Sequence, residues 1–175
     1  MLAEAMEEMG LCQGDYVLGK ETIRATVIGA GCHSTQLSGS TVFCSGVELP
    51  QKNLPVAVLD LPVTVDGVKN AYLGQDSEKV VLSIPGCPLL SYEQIKELAV
   101  TLDSGSGDRE LLVCLEADMA KALGHCIKLL QPQHSCLCID GVSLQAESYL
   151  DIGTPVGPAL PVVIKTLVLS KAPKE

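Results

Sequence analysis

VVLSI (residues 80–84), SYEQIKELAVTLD (91–103) and LLVCL (111–115) follow one another with short connections. The first predicts a short strand and the third a buried strand. Pro85 and Gly86 end the first. In the middle stretch Ser91 and Gln94 form a Ser-x-x-Gln box, whose hydroxyl and amide can satisfy two orphan backbone donors at a helix start. Ile95, Leu98, Ala99 and Leu102 recur at helical spacing and predict one apolar face. After a flexible turn, Ser104–Asp108, the pattern repeats. Asp118–Leu130 predicts a second helix with Asp118 as N-cap and Met119, Ala122, Leu123, Cys126, Ile127 and Leu130 on its buried side. Pro132 ends it, and Cys136–Ile139 is the next strand. Strand, helix, strand, helix, strand predicts βαβ units: an α/β chain with a mostly parallel or mixed sheet and flanking helices.

Working outward, Leu2–Met9 reads as the end of a helix; a chain opening in mid-pattern with no N-cap reads as truncated. Thr22–Gly31 (TIRATVIGAG) is a strand ending in Gly-x-Gly. Ser40–Ser45 predicts a short strand, and Leu54–Leu61 another with Pro55 at its start, where proline is tolerated. Gly67–Ser77 is the most loop-like interval, and Asp66-Gly67 and Asp140-Gly141 read as turn dipeptides. Leu150–Val156 reads as a polar bend, Pro161–Leu169 as a final strand and Lys171–Glu175 as a solvated tail. The expected division is 1–66, 67–170 and the tail.

Composition excludes several classes. Hydrophobic residues make up 47% of the 175 and charged residues 19%, which is globular and not disordered. With no Trp and one Phe, the core must be aliphatic. A net charge of −9 with 3% aromatics argues against nucleic-acid binding, which needs basic grooves and stacking rings. Apolar stretches are interrupted well short of the ~20 residues a membrane span needs, and no secretory signal is evident. Eight cysteines in such a chain read as reduced thiols of a cytosolic protein.

The Gly29-Ala30-Gly31 turn carries the most chemistry. Closely spaced glycines after a strand let backbone approach a ligand without a Cβ clash. Alone the signal is weak: there is no third fingerprint glycine and no Gly-Lys-Ser/Thr of a phosphate-binding loop. Cys32 beside His33 invites a nucleophile or metal reading, but sequence neighbours seldom converge as a catalytic pair. His134, Cys136 and Cys138 share one strand face by alternation; buried thiols are the stronger reading there, with zinc as the rival. Cys12, Cys44, Cys87, Cys114 and Cys126 read as small core residues. Asp108, Glu110, Glu116 and Asp118 read as a solvated rim.

Three segments, TIRATVIGAGCHSTQLSGSTV (22–42), LPQKNLPV (49–56) and DGVSLQAESYLDIGTPVGPALPVVIKTLVL (140–169), resemble in order the reactivating factors of adenosylcobalamin-dependent ethanolamine ammonia-lyase, the EutA family. The resemblance covers nearly the whole chain. It implies a C-terminal portion of an actin-like, ribonuclease H-like ATPase fold, related to sugar kinases and heat-shock chaperone ATPases. It implies that Gly29, Ala30 and Gly31 touch the adenosine side of a nucleotide, with Cys32, His33 and Ser34 close by. The phosphate-binding loops and catalytic carboxylates of that superfamily lie upstream of this segment, so the family's ATP- and Mg2+-dependent activity would need the missing N-terminal half. No catalytic or metal-ligating residue is expected in the chain itself. The implied partners are ethanolamine ammonia-lyase and a nucleotide, in ethanolamine utilisation, with a bacterial microcompartment as a possible setting. Direct cobalamin ligation is not expected, because the Asp-x-His-x-x-Gly motif is absent. The rival expectation is a nucleotide-independent module that docks to the lyase or to a microcompartment component.

Overall fold

The computed structural model of the chain describes residues 32–38, 42–157 and 159–166, with backbone alone for 32–38. The expected helix at Leu2–Met9, the strand and turn at Thr22–Gly31 and the tail at Lys171–Glu175 lie outside the described residues.

Three parallel-paired segments form where the apolar runs predicted strands. They are β4 (Val81–Ile84), β5 (Leu111–Leu115) and β6 (Cys136–Ile139), and every residue in them is buried. Full burial on both faces is what selects continuous apolar sequence over alternation. β3 (Gln51–Val58) runs parallel to β4 through Val56–Val58 and antiparallel to β7 (Ser148–Ile152) through Gln51–Pro55. Pro55 therefore sits not at the strand's start but where it changes partner, beside a register shift between Gln51 and Leu54. A residue without an N–H is least costly at such a break. β1 (Cys32–Ser38) and β8 (Leu160–Thr166) extend this antiparallel side, and β2 (Phe43–Ser45) pairs antiparallel with β6 at the other. The eight described strands make one mixed sheet in the order β1-β8-β7-β3-β4-β5-β6-β2.

Helices α1 (Val65–Leu73), α2 (Tyr92–Ser106) and α3 (Ala120–Leu130) connect the parallel strands. Their buried residues, among them Val68, Leu98, Leu102, Leu123 and Ile127, join Leu82, Ile84, Val113, Leu115 and Cys138 in one core. All three helices thus cover the same sheet face. The opposite strand positions, Val81, Leu112, Leu137 and Ile139, pack with Leu144, Leu150, Ile152, Val162 and Ile164 in a second core. The Ser91 box forms as expected, with the Gln94 N–H donating to Ser91 Oγ and the Ser91 N–H to Gln94 Oε1.

Several expectations need correction. The interval Gly67–Ser77 is not a loop: α1 occupies most of it. Thr64 caps that helix by accepting the Gly67 N–H at 3.1 Å, and Val68 and Tyr72 supply its buried face. Asp66-Gly67 is its first turn. Leu150–Val156 is not simply a bend, because β7 runs through Ile152 with Ser148, Leu150 and Ile152 inward. Asp118 is not the N-cap of α3. Met119 holds that position without a side-chain bond, and Asp140 Oδ2 accepts the Ala120 N–H at 3.2 Å instead. Ala122 and Leu130 are exposed. Residues 66 and 67 fall inside α1.

Candidate functional site

Gly29, Ala30 and Gly31 lie outside the described residues, but Cys32, His33 and Ser34 open β1 and can be placed by register. They stand opposite Thr166, Lys165 and Ile164 of β8. Thr166 and Lys165 stand opposite Ser148 and Tyr149 of β7, and Tyr149 stands opposite Pro55 of β3. The start of β1 is therefore level with the carboxyl-end half of β3. Open α/β sheets bind their ligands beyond the carboxyl ends of parallel strands, and Cys32, His33 and Ser34 lie toward that end.

One strand over, Lys165 anchors a network that sequence reading did not find. Its Nζ lies 2.5 Å from Asp151 Oδ2 and donates to Asn53 Oδ1 at 2.8 Å, while the Asn53 N–H donates to Asp151 Oδ1 at 2.7 Å. Asn53 holds φ of 55°, a left-handed backbone that asparagine tolerates better than most residues. Partial burial pushes the Asp151 carboxyl up, but the Asn53 amide and then Lys165 outweigh it and leave Asp151 below its ordinary range. The network ties β3, β7 and β8 together beside the strand that carries His33.

The loops at the carboxyl ends of β3 to β6 are cross-linked as well. Glu116 Oε2 accepts the Gly86 N–H at 2.9 Å and its Oε1 accepts from Ser143 Oγ at 2.7 Å. The Ser143 bond, then the Gly86 bond, lowers the Glu116 carboxyl. This carboxylate takes up an amide that an anionic ligand would otherwise use. The helix starts are likewise engaged: Thr64 at α1, Ser91 at α2 and Asp140 at α3 each accept an amide there. Helix N-termini bind phosphate through such free amides. At each of these three helix starts one such amide is taken up by a side chain of the chain itself.

His134 lies at the amino edge, just before β6. His134 Nδ1 is 2.8 Å from Asp103 Oδ1 and its Nε2 is 2.6 Å from the Arg109 carbonyl, so both ring nitrogens are engaged within the fold. Cys136 and Cys138 point into the helix-side core. Burial pushes the Cys136 thiol up to about 11 and the Cys138 thiol well above its ordinary value. Among the described residues no group of three or more His, Cys, Asp or Glu side chains is arranged to hold a metal ion. Cys87, Cys114 and Cys126 are buried, as expected for small core residues, whereas Cys44 is exposed on the three-residue edge strand β2. The acidic rim divides in the same way. Asp108 and Asp118 are exposed. Glu110 instead accepts from Gln51 Nε2 at 2.9 Å and pairs with Lys79 at 2.7 Å.

The family described as "Ethanolamine utilisation protein EutA" matches residues 1–170. The chain belongs to the EutA family. It is 38% identical over 158 residues to the ethanolamine ammonia-lyase reactivase EutA of Salmonella typhimurium, an alignment covering 84% of the chain. It is 37% identical over the same length to the reactivase of that name from Escherichia coli. In each case the alignment covers 34% of the relative, so the chain spans about a third of the length of the curated EutA proteins it matches. No solved structure matches it significantly. A mixed α/β sheet with flanking helices is compatible with a part of an actin-like ATPase fold. No helix among the described residues is long and apolar enough to cross a membrane.

Proposed function

We propose that the chain works as the C-terminal portion of a reactivating factor that uses ATP and Mg2+ to exchange inactivated cobalamin for adenosylcobalamin in ethanolamine ammonia-lyase. The observation that carries this reading is the 38% identity to a named reactivase across 84% of the chain. Side chains of the chain itself take up one amide at each helix start and the Gly86 amide, which supports assigning phosphate chemistry elsewhere. The chain's own contribution to nucleotide binding is then a wall: Gly29, Ala30 and Gly31 against the adenosine, with Cys32, His33 and Ser34 continuing into β1. Lys165, Asp151 and Asn53 hold β3, β7 and β8 together next to β1. Hydrolysis, Mg2+ binding and the conformational work belong to the N-terminal remainder of a longer protein. Cobalamin itself needs no ligand from this chain.

Calorimetric titration with ADP and with Mg-ATP tests the nucleotide part. Weak ADP binding without hydrolysis is expected, and Gly31→Val should abolish it by placing a branched side chain where backbone must approach the ligand. ATP turnover by this chain alone would contradict the assignment of catalysis to the remainder. The engagement of these amides within the fold favours one alternative, a nucleotide-independent docking module. In that case neither nucleotide binds, while the lyase still does.

A further inference from the structure

The loops after β3 and β4 lie side by side at the carboxyl edge. The Leu59 N–H donates to the Ser83 carbonyl at 2.8 Å. Val63 and Leu90, one from each loop, pack against the helix-side core. That anchoring leaves Leu61 and Leu89 turned outward with Tyr92, the first residue of α2, at 47%, 73% and 56% exposure. Pro62 and Pro88 are exposed beside them. Single exposed leucines need no explanation, but large apolar side chains gathered on adjacent proline-stiffened loops mark an interaction surface. A depression of about 390 Å3, walled by Leu59, Pro62 and Thr64 with Asp60 at its lip, opens next to them.

The rim is acidic. Asp60, Glu116, Asp118 and Glu147 are exposed at this edge, and none has an ion pair among the described residues. Among the described residues, Lys121 and Lys96 lie near the starts of α3 and α2. Lys96 is held by Glu93 at 3.2 Å and lies 4.8 Å from the Tyr92 ring centroid. A second copy docking through the same patch would set these carboxylates against each other. An apolar centre with an acidic rim complements an apolar centre ringed by lysine and arginine.

We infer that this carboxyl edge is the surface on which ethanolamine ammonia-lyase docks, through a lyase patch with an apolar centre and a basic rim. The inference rests on the reactivating role proposed above and assigns that role a face. Leu61, Leu89 and Tyr92 are the anchors, and Asp60, Glu116 and Asp118 steer the approach. Glu116 also fixes the loops that carry the anchors, through Gly86 and Ser143.

The test is binding of the whole chain to purified ethanolamine ammonia-lyase, followed by biolayer interferometry at low and moderate salt. The double variant Leu89→Ser, Tyr92→Ser should bind about tenfold or more weakly, as expected when central anchors are truncated. Asp60→Lys with Asp118→Lys should slow association and flatten its salt dependence. Leu73→Ser with Leu129→Ser, at helix ends on the opposite edge, should bind like the wild type. All six positions are exposed, and an unchanged urea midpoint checks that each variant is folded. Folded carboxyl-edge variants that bind as tightly as the wild type would overturn this assignment and leave the reactivating role standing. A wild-type chain that does not bind the lyase would overturn both.

Discussion

Gly105→Ala should destabilise the chain, although alanine is the better helix former. Gly105 lies in the last turn of α2 and faces α1. A Cβ there would meet Val68 Cβ at 2.5 Å, Val68 Cγ1 at 2.6 Å and the Val65 carbonyl at 3.1 Å. Val68 is fully buried, so its side chain cannot simply swing into solvent. Overpacking of this kind costs about 1–3 kcal/mol. The helix-propensity gain is at most about 1 kcal/mol and is smaller in a terminal turn. The net expectation is a loss of about 1–2 kcal/mol, read as a lower urea midpoint at unchanged slope. Val68→Ala should partly rescue it, since the new methyl then occupies space the valine vacated. A double-mutant cycle should show that coupling directly. Equal stability of Gly105→Ala and wild type, or strict additivity with Val68→Ala, would refute the close packing of α1 on α2.

Two further outcomes follow from the same structure. Ser91→Ala removes one arm of the capping box at the start of α2 and should cost about 0.5–1 kcal/mol, at the lower end for such caps because the Ser91 Oγ bond is 3.4 Å long; Ser91→Asp should restore it in urea denaturation. Asp151 has its carboxyl lowered in the folded chain, so its stabilisation is present above the unfolded value and is lost as pH falls through the folded one. The stability gap between wild type and Asp151→Asn should therefore be full at pH 7 and close below about pH 4; a gap that widens on acidification would contradict the Lys165–Asp151–Asn53 network.

The parts of the fold legible in sequence are those whose signal is local. Short runs, apolar throughout in β5 and β6 and interrupted only by Ser83 in β4, marked these strands, because strands buried on both faces need no alternation. The Ser91–Gln94 box marked the start of α2 because both of its bonds span three residues. Helix α1 was hidden for a related reason. Thr64 accepting an amide three residues on is equally the chemistry of a turn, and Asp66-Gly67 looks like one. Only burial of Val68 and Tyr72 against α2 and the sheet decides for a helix. β7 was obscured by Ser148, a polar residue on its buried side.

The candidate site was less legible. The Gly29–Gly31 turn lies outside the described residues, and the strand that runs from Cys32 to Ser38 was not predicted, because Ser and Thr there give no apolar run. The residues that organise the neighbourhood were not legible either. Lys165 reaches Asn53 across 112 positions, Asn53 reaches Asp151 across 98, and Glu116 meets Gly86 across 30. No periodicity or spacing rule carries such pairs. Asp140 had been read as half of a turn dipeptide, and only its buried position shows that it caps α3.

The most direct test of the central claim is reactivation by a chimera. The matching segment of the Salmonella typhimurium reactivase would be replaced by this chain. The product would then be assayed on ethanolamine ammonia-lyase inactivated with cyanocobalamin, in the presence of ATP, Mg2+ and adenosylcobalamin. The account predicts that lyase activity returns in an ATP-dependent way, and that Gly31→Val in the chimera blocks it. A folded chimera that binds nucleotide but restores no activity, beside an active parent reactivase, would contradict it.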